Sequence, residues 1–373
     1  MKYYIIAGER SGDLHGGNLI RSLMKTDTQA VVRAWGGDYM KEAGADLVKH
    51  YRDMAFMGFM EIVLNVRTIF RNLDLCRTDI IQFSPDVIIL IDFAGFNFRI
   101  ARFAKEKGYR VFYYISPKIW AWNTGRVYKI KSWVERMFVI LPFEADFYKK
   151  YGVEVDYVGN PVAEAVRNHK PDPDFRDKLS GSGYSSIAAL LPGSRKQEVL
   201  QSLPLMVKVA EKHKNVLFLV AAVNNLPDEL YSVCRGIDNV NVIYEKAYDI
   251  LSVSSQAIVT SGTATLETAL WKVPQVVVYK ANLRISAWIA RMVIKVKYIS
   301  LVNLILDRPL ITELIQENLT LGNLLSEFEK ILDNNEVRSN ILRGYAEAAS
   351  MLGTSIASDK AANLMVRYLR GNS

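Results

Sequence analysis

The sequence predicts an α/β protein built from two doubly wound, Rossmann-like units in tandem. Two observations support this prediction. Short, continuously apolar strands alternate with amphipathic helices, and the alternation stops in a polar segment at residues 169–183 before it starts again. Strands without a polar side are typical of parallel sheets that helices cover on both faces. At 373 residues the chain is long enough for two cores.

The predicted elements follow this alternation in both halves. In the first half, strands are predicted at residues 3–7, 30–35, 87–91 and 110–115, and helices at residues 14–24, 38–43 and 99–107. In the second half, strands are predicted at residues 187–191, 216–222, 240–244, 256–260 and 274–279, with a long helix at residues 198–213. We place the domains at residues 1–165 and 166–350. A C-terminal helix at residues 351–373 either crosses back to the first domain or is exchanged in a dimer.

Composition narrows the class of protein without choosing a function. The net charge of +8 favours anionic partners, which include nucleic acid, anionic lipid and phosphorylated substrates. No signal peptide and no apolar run of about 20 residues is found, so we expect a cytoplasmic or peripheral membrane protein. Cys76 and Cys234 lie far apart in the sequence and are expected to be buried thiols. The motifs of P-loop proteins, zinc metalloproteases and serine hydrolases are all missing.

A glycine turn at residues 261–263 connects a predicted strand to a predicted helix. Ser261, Gly262 and Thr263 stand at the helix start, where unpaired backbone N–H groups and the helix dipole attract phosphate. Glu267 lies about one turn further along, where its carboxylate can accept hydrogen bonds from sugar hydroxyls. An ordinary turn with a Ser/Thr cap has the same pattern. The interpretation as a phosphate site therefore needs a cationic side chain from another part of the chain.

Three further turns carry polar side chains just beyond predicted strands, where ligands bind in open α/β sheets. They contain Glu9 and Ser11, then Asp92 and Asn97, then Ser194 and Arg195. Arg195 can pair bidentately with phosphate oxygens and, together with the 261–263 amides, grip a diphosphate without a metal. Asp92 ends the most apolar strand of the first half and is the candidate general base. Glu9 is the rival base, and a helix N-cap is the alternative role for Asp92.

Two aromatic features have both a structural and a functional interpretation. Trp120 and Trp122 can pack a sugar ring or an acyl chain, or can fill a core or a domain interface. Ile62, Val63, Val66, Ile69 and Phe70 recur at helical spacing among arginines, within a segment from residue 54 to residue 73. That segment reads either as a helix that covers the sheet or as a basic amphipathic helix in a membrane interface.

An ordered set of motifs resembles the lipid-A-disaccharide synthase family, inverting glycosyltransferases of the GT-B architecture. The motifs are Ala7-Gly-Glu-Arg-Ser-Gly-Asp13, Met57-Gly-Phe-Met-Glu61, Ile91-Asp92 with Phe96-Asn97, Ser116-Pro-Lys-Ile-Trp-Ala-Trp122, Pro142-Phe-Glu144, Leu191-Pro-Gly-Ser-Arg195 with Glu198, Ser261 to Glu267, and Ser300-Leu-Val-Asn303 with Glu313-Leu-Ile-Gln316. Two departures stand out. Gly95 replaces the family's second carboxylate after Asp92, and Asn160 replaces a histidine at the domain junction.

The resemblance implies a reaction and a set of roles. UDP-2,3-diacylglucosamine would donate its sugar to the 6-hydroxyl of 2,3-diacylglucosamine 1-phosphate. Asp92 would be the base, with Glu9 as the alternate. The UDP moiety would be held by Ser194, Arg195, Ser261, Gly262, Thr263, Glu267 and Asn303. Ser11, Asn97, Trp120 and Trp122 would line the acceptor or acyl side. No cofactor and no metal are expected, since no Asp-x-Asp-type metal pair appears in the predicted clefts.

Because both substrates are lipids, the resemblance favours the membrane interpretation of the 54–73 segment. Leu205 and Met206 would form a second membrane-facing patch, and an anionic surface at the inner face of the inner membrane would be the partner, with no nucleic acid. The family also implies a homodimer that exchanges C-terminal segments. The rivals are another GT-B UDP-sugar enzyme or an epimerase with a non-lipid acceptor, and a non-catalytic nucleotide-sugar-binding module.

Overall fold

The computed structural model describes residues 1–53, 66–179, 183–280 and 297–371. These residues form two compact units, residues 1–161 with 354–373 and residues 162–353. The sequence analysis placed the corresponding boundaries at 165/166 and 350/351. Each unit has a fully parallel sheet with helices, so the predicted α/β class is confirmed.

The first unit contains a seven-stranded sheet in the order β3-β2-β1-β4-β5-β6-β7. Its strands are β1 (Lys2–Ala7), β2 (Val31–Gly36), β3 (Asp46–His50), β4 (Val87–Ile91), β5 (Val111–Tyr114), β6 (Arg136–Val139) and β7 (Asp156–Tyr157). Its helices begin with α1 (Arg10–Thr26), α2 (Asp38–Glu42), α3 (Val66–Phe83), α4 (Ala94–Glu106), α5 (Ile119–Trp122), α6 (Val127–Trp133) and α7 (Pro142–Lys149). Short 3-10 turns lie at Tyr51–Asp53 and Thr124–Arg126.

The second unit contains a six-stranded sheet in the order β10-β9-β8-β11-β12-β13. Its strands are β8 (Ser186–Leu191), β9 (Val216–Ala222), β10 (Val240–Tyr244), β11 (Gln256–Thr260), β12 (Gln275–Tyr279) and β13 (Glu313–Ile315). Its helices are α8 (Pro161–Asn168), α9 (Phe175–Lys178), α10 (Lys196–Lys212), α11 (Ala247–Val253), α12 (Thr263–Leu270), α13 (Leu301–Leu306), α14 (Leu321–Asp333) and α15 (Asn335–Leu352). Short 3-10 turns lie at Asp228–Cys234 and Gln316–Asn318.

Strand β1 shows why both faces of the first sheet are covered. Its successive side chains point to opposite faces. Tyr3 and Ile5 join a core that includes α1, whereas Tyr4 and Ile6 join a second core that includes α3. All four side chains are fully buried. A strand with two buried faces has no polar side, which is the pattern that predicted the parallel sheet.

The C-terminal helix α16 (Ala357–Leu369) returns to the first unit of its own chain. Ala361 and Met365 enter the core that α1 covers. The Ser22 hydroxyl of α1 donates to Asp359 Oδ1 at 2.6 Å. The helix therefore packs against the first unit in this single chain, and exchange of the segment in a homodimer stays a prediction.

Two further expectations concern membranes and thiols. Within the described ranges, none of the helices combines the length and the apolar character that crossing a bilayer requires. Cys76 and Cys234 are buried free thiols, as predicted.

Candidate active site

The polar turns of the first unit meet at one edge of its sheet. The chain order reverses between the neighbouring strands β1 and β4, which makes their carboxyl ends the topological switch point. Glu9 follows β1 by two residues, and Asp92 follows β4 directly. A crevice of this kind is where doubly wound sheets bind ligands.

Gly8 and Phe93 bring these two turns into contact. A Cβ atom on Gly8 would lie 2.2 Å from Cγ of Phe93, so only a glycine leaves room for the ring at this position. Phe93 also stacks on Phe96, with the ring centroids 5.6 Å apart. Phe93 was not predicted as a site residue, because an aromatic residue beside an acid has no distinctive pattern.

Asp92 adopts a backbone conformation that few residues accept. Its φ is +42°, and Phe93 follows with φ +46°. The Asp92 carbonyl accepts hydrogen bonds from Asn97 Nδ2 at 2.8 Å and from the Tyr113 hydroxyl at 2.5 Å. Phe93 occupies the N-cap position of α4, so Asp92 is not its cap. The Asp92 side chain is exposed. Strained backbone that neighbours hold in place is common at functional sites.

Asn97 does not face the crevice, so its predicted role on the acceptor side is wrong. It is fully buried. Its amide donates to the carbonyl oxygens of Ile91 at 3.2 Å and Asp92 at 2.8 Å. Asn97 therefore holds the turn that presents Asp92.

The polar residues at the start of α1 differ in their burial and in their contacts. Glu9 occupies the N-cap position and is half-buried, and Ser11 is exposed. Asp13 is buried, and its carboxylate accepts from the backbone N–H groups of Gly37 at 2.7 Å and Met40 at 3.1 Å. Glu9 and Ser11 thus stay at the edge of the sheet, while Asp13 fixes the start of α2.

Trp120 lies in the four-residue helix α5, which follows β5. It is half-buried, and its indole Nε1 donates to Glu144 Oε1 at 3.2 Å. Glu144, at the start of α7, is 1% exposed. Trp122 ends the same short helix. Glu144 belongs to the motif Pro142-Phe-Glu144, but no role was predicted for it.

The second unit repeats the switch-point geometry. Its chain order reverses between the neighbouring strands β8 and β11. The turn with Ser194 and Arg195 follows β8, and the turn at residues 261–263 follows β11. The two predicted phosphate-binding turns therefore flank one switch point.

Glu198 shapes the Arg195 turn. Its Oε2 accepts from the backbone N–H groups of Ser194 at 3.1 Å and Arg195 at 3.2 Å, and its Oε1 lies 3.5 Å from Arg195 Nη1. Gly193 has φ +102°, and a Cβ atom there would lie 2.4 Å from Glu198 Oε2. Ser194 is exposed, and 56% of the Arg195 side chain is exposed.

The turn at residues 261–263 opens helix α12. Gly262 is the N-cap residue, and in the described part of the chain no other segment comes within 4 Å of where its Cβ would be. Thr263 is exposed, and the Ser261 hydroxyl donates to the Ile299 carbonyl at 3.0 Å. An unobstructed helix start is the setting in which backbone N–H groups can reach an anion.

Glu267 is held by a residue that the sequence analysis did not select. The Tyr248 hydroxyl donates to Glu267 Oε1 at 2.8 Å. Burial raises the pKa of Glu267, and the hydrogen bond from Tyr248 opposes that rise. Tyr248 thus fixes one carboxylate oxygen of Glu267, the side chain that is predicted to bind the ribose.

Asn303 has different surroundings from those that its predicted contact with the diphosphate requires. It is 1% exposed, and its Nδ2 donates to Ile311 O and Glu313 Oε1, both at 2.9 Å. Its Oδ1 accepts from the N–H groups of Leu310 at 2.9 Å and Ile311 at 3.0 Å. The predicted contact with the diphosphate is contradicted, since both amide hydrogens and the oxygen already have partners.

Asn303 instead belongs to a network beside the 261–263 turn. Glu313 Oε1 accepts from the backbone N–H of Ser300 at 3.0 Å and from its hydroxyl at 2.7 Å. Leu301 N donates to Thr265 Oγ1 at 3.2 Å. The network therefore fastens residues 299–301 to the first turn of α12.

The residues that were predicted to face a membrane differ in their burial. Met206 is fully buried, so the prediction that it faces a membrane is wrong. It shares the inner face of α10 with Leu203 and Val207, which are also buried. Ile69 packs partly buried against the core of the first unit, whereas Phe70 is 56% exposed. Val66 is the first described residue of α3, and Ile62 and Val63 lie outside the described residues.

The residues that the structure describes contain no group of three or more His, Cys, Asp or Glu side chains placed to hold a metal ion.

A family model described as lipid-A-disaccharide synthetase matches residues 3–363. The chain belongs to the lipid-A-disaccharide synthase family. It is 34% identical to the lipid-A-disaccharide synthase of Geobacter sulfurreducens, over 98% of this chain and 96% of the relative. It is 36% identical to that of Myxococcus xanthus, over 98% of this chain and 97% of the relative. The chain is a hexosyltransferase of lipid A disaccharide synthesis, and family membership favours neither rival function.

Solved structures agree on the architecture. A UDP-GlcNAc 2-epimerase from Neisseria meningitidis bound to UDP-GlcNAc superposes with a TM-score of 0.63 at 13% identity, covering 100% of both chains. The glycotransferase of kitacinnamycin superposes with a TM-score of 0.64 at 15% identity, covering 99% of both chains. At this identity the likeness shows the fold alone, and it confirms the GT-B architecture.

Proposed function

We propose that the chain transfers 2,3-diacylglucosamine from UDP to the 6-hydroxyl of 2,3-diacylglucosamine 1-phosphate. The products are the β-1,6-linked disaccharide 1-phosphate and UDP. The observation that carries the proposal is the division of chemistry between the switch points. The edge of the first unit presents the acids Glu9 and Asp92, and that of the second presents Arg195 and an open helix start.

Each edge supplies one half of an inverting transfer. At the first edge, Asp92 takes the proton of the acceptor 6-hydroxyl, and the oxygen of that hydroxyl attacks the anomeric carbon of the donor sugar. Glu9 is the alternate base. At the second edge, the bond between the anomeric carbon and the diphosphate oxygen breaks, and UDP leaves with the electron pair. Arg195 and the N–H groups of the 261–263 turn stabilise that charge, and Glu267 binds the ribose.

An assay of the full-length chain tests the reaction. Both lipid substrates would be supplied in mixed detergent micelles with EDTA, and the disaccharide would be followed by mass spectrometry. We expect product at the same rate with and without EDTA, because the proposed groups stabilise the diphosphate without a metal. A folded chain that binds UDP yet forms no disaccharide would contradict the acceptor assignment and favour a non-lipid acceptor.

We further propose that the first unit docks on the inner face of the inner membrane through α3. Leu73, Cys76 and Ile80 point into the core. Among the described residues, Phe70 flanks that face of the helix and is 56% exposed, and the neighbouring Arg67 and Arg71 are exposed too. An aromatic residue among arginines suits an anionic interface.

Phe70→Ser is expected to weaken binding to vesicles that contain phosphatidylglycerol by about tenfold, because a buried Phe side chain contributes about 1.5–3 kcal/mol. Sedimentation with vesicles measures the binding. Met351→Ser is the matched control, since Met351 is 43% exposed on α15 in the other unit. Equal losses in the two variants would remove α3 as the docking surface.

A further inference from the structure

One buried carboxylate at the edge of the first unit has no part in the proposed reaction. Glu144 is 1% exposed and lies in the first turn of α7. Its Oε2 accepts from the backbone N–H groups of Ile140 at 3.2 Å and Leu141 at 3.0 Å. Its Oε1 accepts from Trp120 Nε1 at 3.2 Å. Three N–H donors therefore converge on one carboxylate.

These contacts determine where the Trp120 ring lies. Helix α5 has only four residues and is too short to be stable by itself. The indole is held at its polar edge by Glu144, and it meets the Phe143 ring edge-to-face at 4.9 Å between centroids. Trp120 is half-buried, so part of the residue is accessible within the described structure.

Glu144 is the group of this cluster that changes charge near neutral pH. Burial raises its pKa to about 7, and hydrogen bonds from Leu141, Ile140, Trp120 and Ser116 oppose the rise. Tyr148 faces it from α7 and shares a 2.6 Å hydrogen bond with the Ser116 hydroxyl. Burial raises the pKa of Tyr148, and that of Tyr113 on β5 is raised well above its usual value by burial. Both phenols stay neutral where Glu144 titrates.

Protonation of Glu144 would displace the Trp120 indole more readily than the backbone N–H groups of Ile140 and Leu141. Both carboxylate oxygens accept from N–H donors, and these bonds weaken when a proton removes the negative charge of the acceptor. The Ile140 N–H belongs to the peptide whose carbonyl, that of Val139, accepts from the backbone N–H of Val158 at 3.0 Å. The Leu141 N–H belongs to the next peptide, whose carbonyl, that of Ile140, accepts from Asn160 Nδ2 at 3.0 Å. The Leu141 N–H belongs to the capping box of α7. The Trp120 side chain is the donor that can rotate away.

We propose that Glu144 is a positioning residue for the acceptor side of the reaction. When ionised, it holds the Trp120 indole in the orientation that packs against the acceptor, and when protonated it releases the indole. The link to the acceptor rests on the proposed function. The link between Glu144 and Trp120 does not, and it is tested separately.

Tryptophan fluorescence of the full-length protein without substrates tests the first link. The difference between wild type and Trp120→Phe, followed from pH 5 to pH 9, is expected to change with a midpoint near pH 7. We expect Glu144→Gln to abolish this transition. Asp146→Asn, an exposed carboxylate on the same helix, should leave it intact. A transition that persists in Glu144→Gln would overturn the proposal.

Steady-state kinetics test the second link. In wild type, KM for the acceptor is expected to rise as the pH falls through 7, whereas in Glu144→Gln it should be raised about tenfold and independent of this titration. The pH dependence of kcat should be the same in both proteins. A purely structural role would lower the active fraction without changing the pH dependence of KM, and that result would also overturn the proposal.

Thermal unfolding shows whether Glu144→Gln folds. The pH dependence of Tm also tests independently in which direction the pKa of Glu144 is shifted. The pKa of Glu144 is raised from 4.5 to about 7 in the folded chain. Its contribution to stability is therefore full below pH 4.5 and is lost as the pH rises through 7. The Tm of wild type relative to Glu144→Gln should fall across that window. If Glu144→Gln does not fold, Trp120→Phe must lose the pH dependence of the acceptor KM, and its retention would refute the proposal.

Discussion

Asp92→Asn is expected to lower kcat by about 10²–10⁴-fold, the contribution of a well-placed general base. The substitution removes the proton acceptor and keeps the shape of the side chain. It also suits the backbone, because Asn, like Asp, tolerates the left-handed conformation found here at φ +42°. The carbonyl contacts from Asn97 and Tyr113 involve only the main chain of Asp92 and should survive. The loss should therefore appear in kcat with little change in Tm.

Asp86→Asn is the matched control for this experiment. Asp86 is exposed just before strand β4, at the opposite end from Asp92, and its carboxylate accepts from Lys2 N at 2.7 Å. Its substitution should leave kcat unchanged. Glu9→Gln distinguishes the two candidate bases, since Glu9 flanks the same switch point. A wild-type rate in Asp92→Asn with a large loss in Glu9→Gln would move the base to Glu9.

The central strands of both sheets could be predicted because they are buried on both faces. Residues 87–91, 216–222 and 256–260 were predicted with the bounds that the structure has. The edge strand at residues 240–244 was also predicted with its bounds, although it is only partly buried. Strands β3, β6, β7 and β13 were missed. They are short or lie at sheet edges, and Asp46, Lys49 and Arg136 interrupt the apolar runs that mark a strand. Edge strands carry such polar residues because they are only partly covered.

The positions of the candidate site were more predictable than the contacts within it. Parallel strands place their carboxyl ends on one edge, so the turns with Asp92 and Arg195 followed from the sequence. Glu144, Tyr248 and Glu198 were assigned no role, because each reaches its partner through tertiary packing or through a local bond to the backbone that no spacing reveals.

The incorrect assignments of Asn97 and Asn303 share one physical cause. A motif match shows that a polar residue is present, but it does not show whether the side chain meets a ligand or the protein's own backbone. Asn97 and Asn303 have short amide side chains that satisfy nearby carbonyl and N–H groups. Such local pairing is common for Asn beside turns. Met206 was misplaced for a different reason, since a long apolar helix face reads alike whether it meets a sheet or a membrane.

Arg195→Ala is expected to lower kcat by about 10²–10³-fold, in line with the loss of roughly 3–4 kcal/mol when one donor to a developing anion is removed. The negative charge on UDP grows as the sugar bond breaks, so the guanidinium stabilises the transition state more than the bound substrate. The effect should therefore be larger on kcat than on KM for the UDP-sugar. The turn itself should persist, because Glu198 holds it through the backbone N–H groups of Ser194 and Arg195.

Two further variants separate charge from geometry at this turn. Arg195→Lys keeps the charge but loses the planar fork that pairs with two phosphate oxygens, so it should recover only part of the rate. Lys196→Ala removes an exposed neighbouring cation and should change kcat little. Isothermal titration with UDP then shows whether Arg195→Ala also weakens product binding. A rate within threefold of wild type in Arg195→Ala would leave the start of α12 as the stabilising group, since its backbone N–H groups do not depend on any side chain.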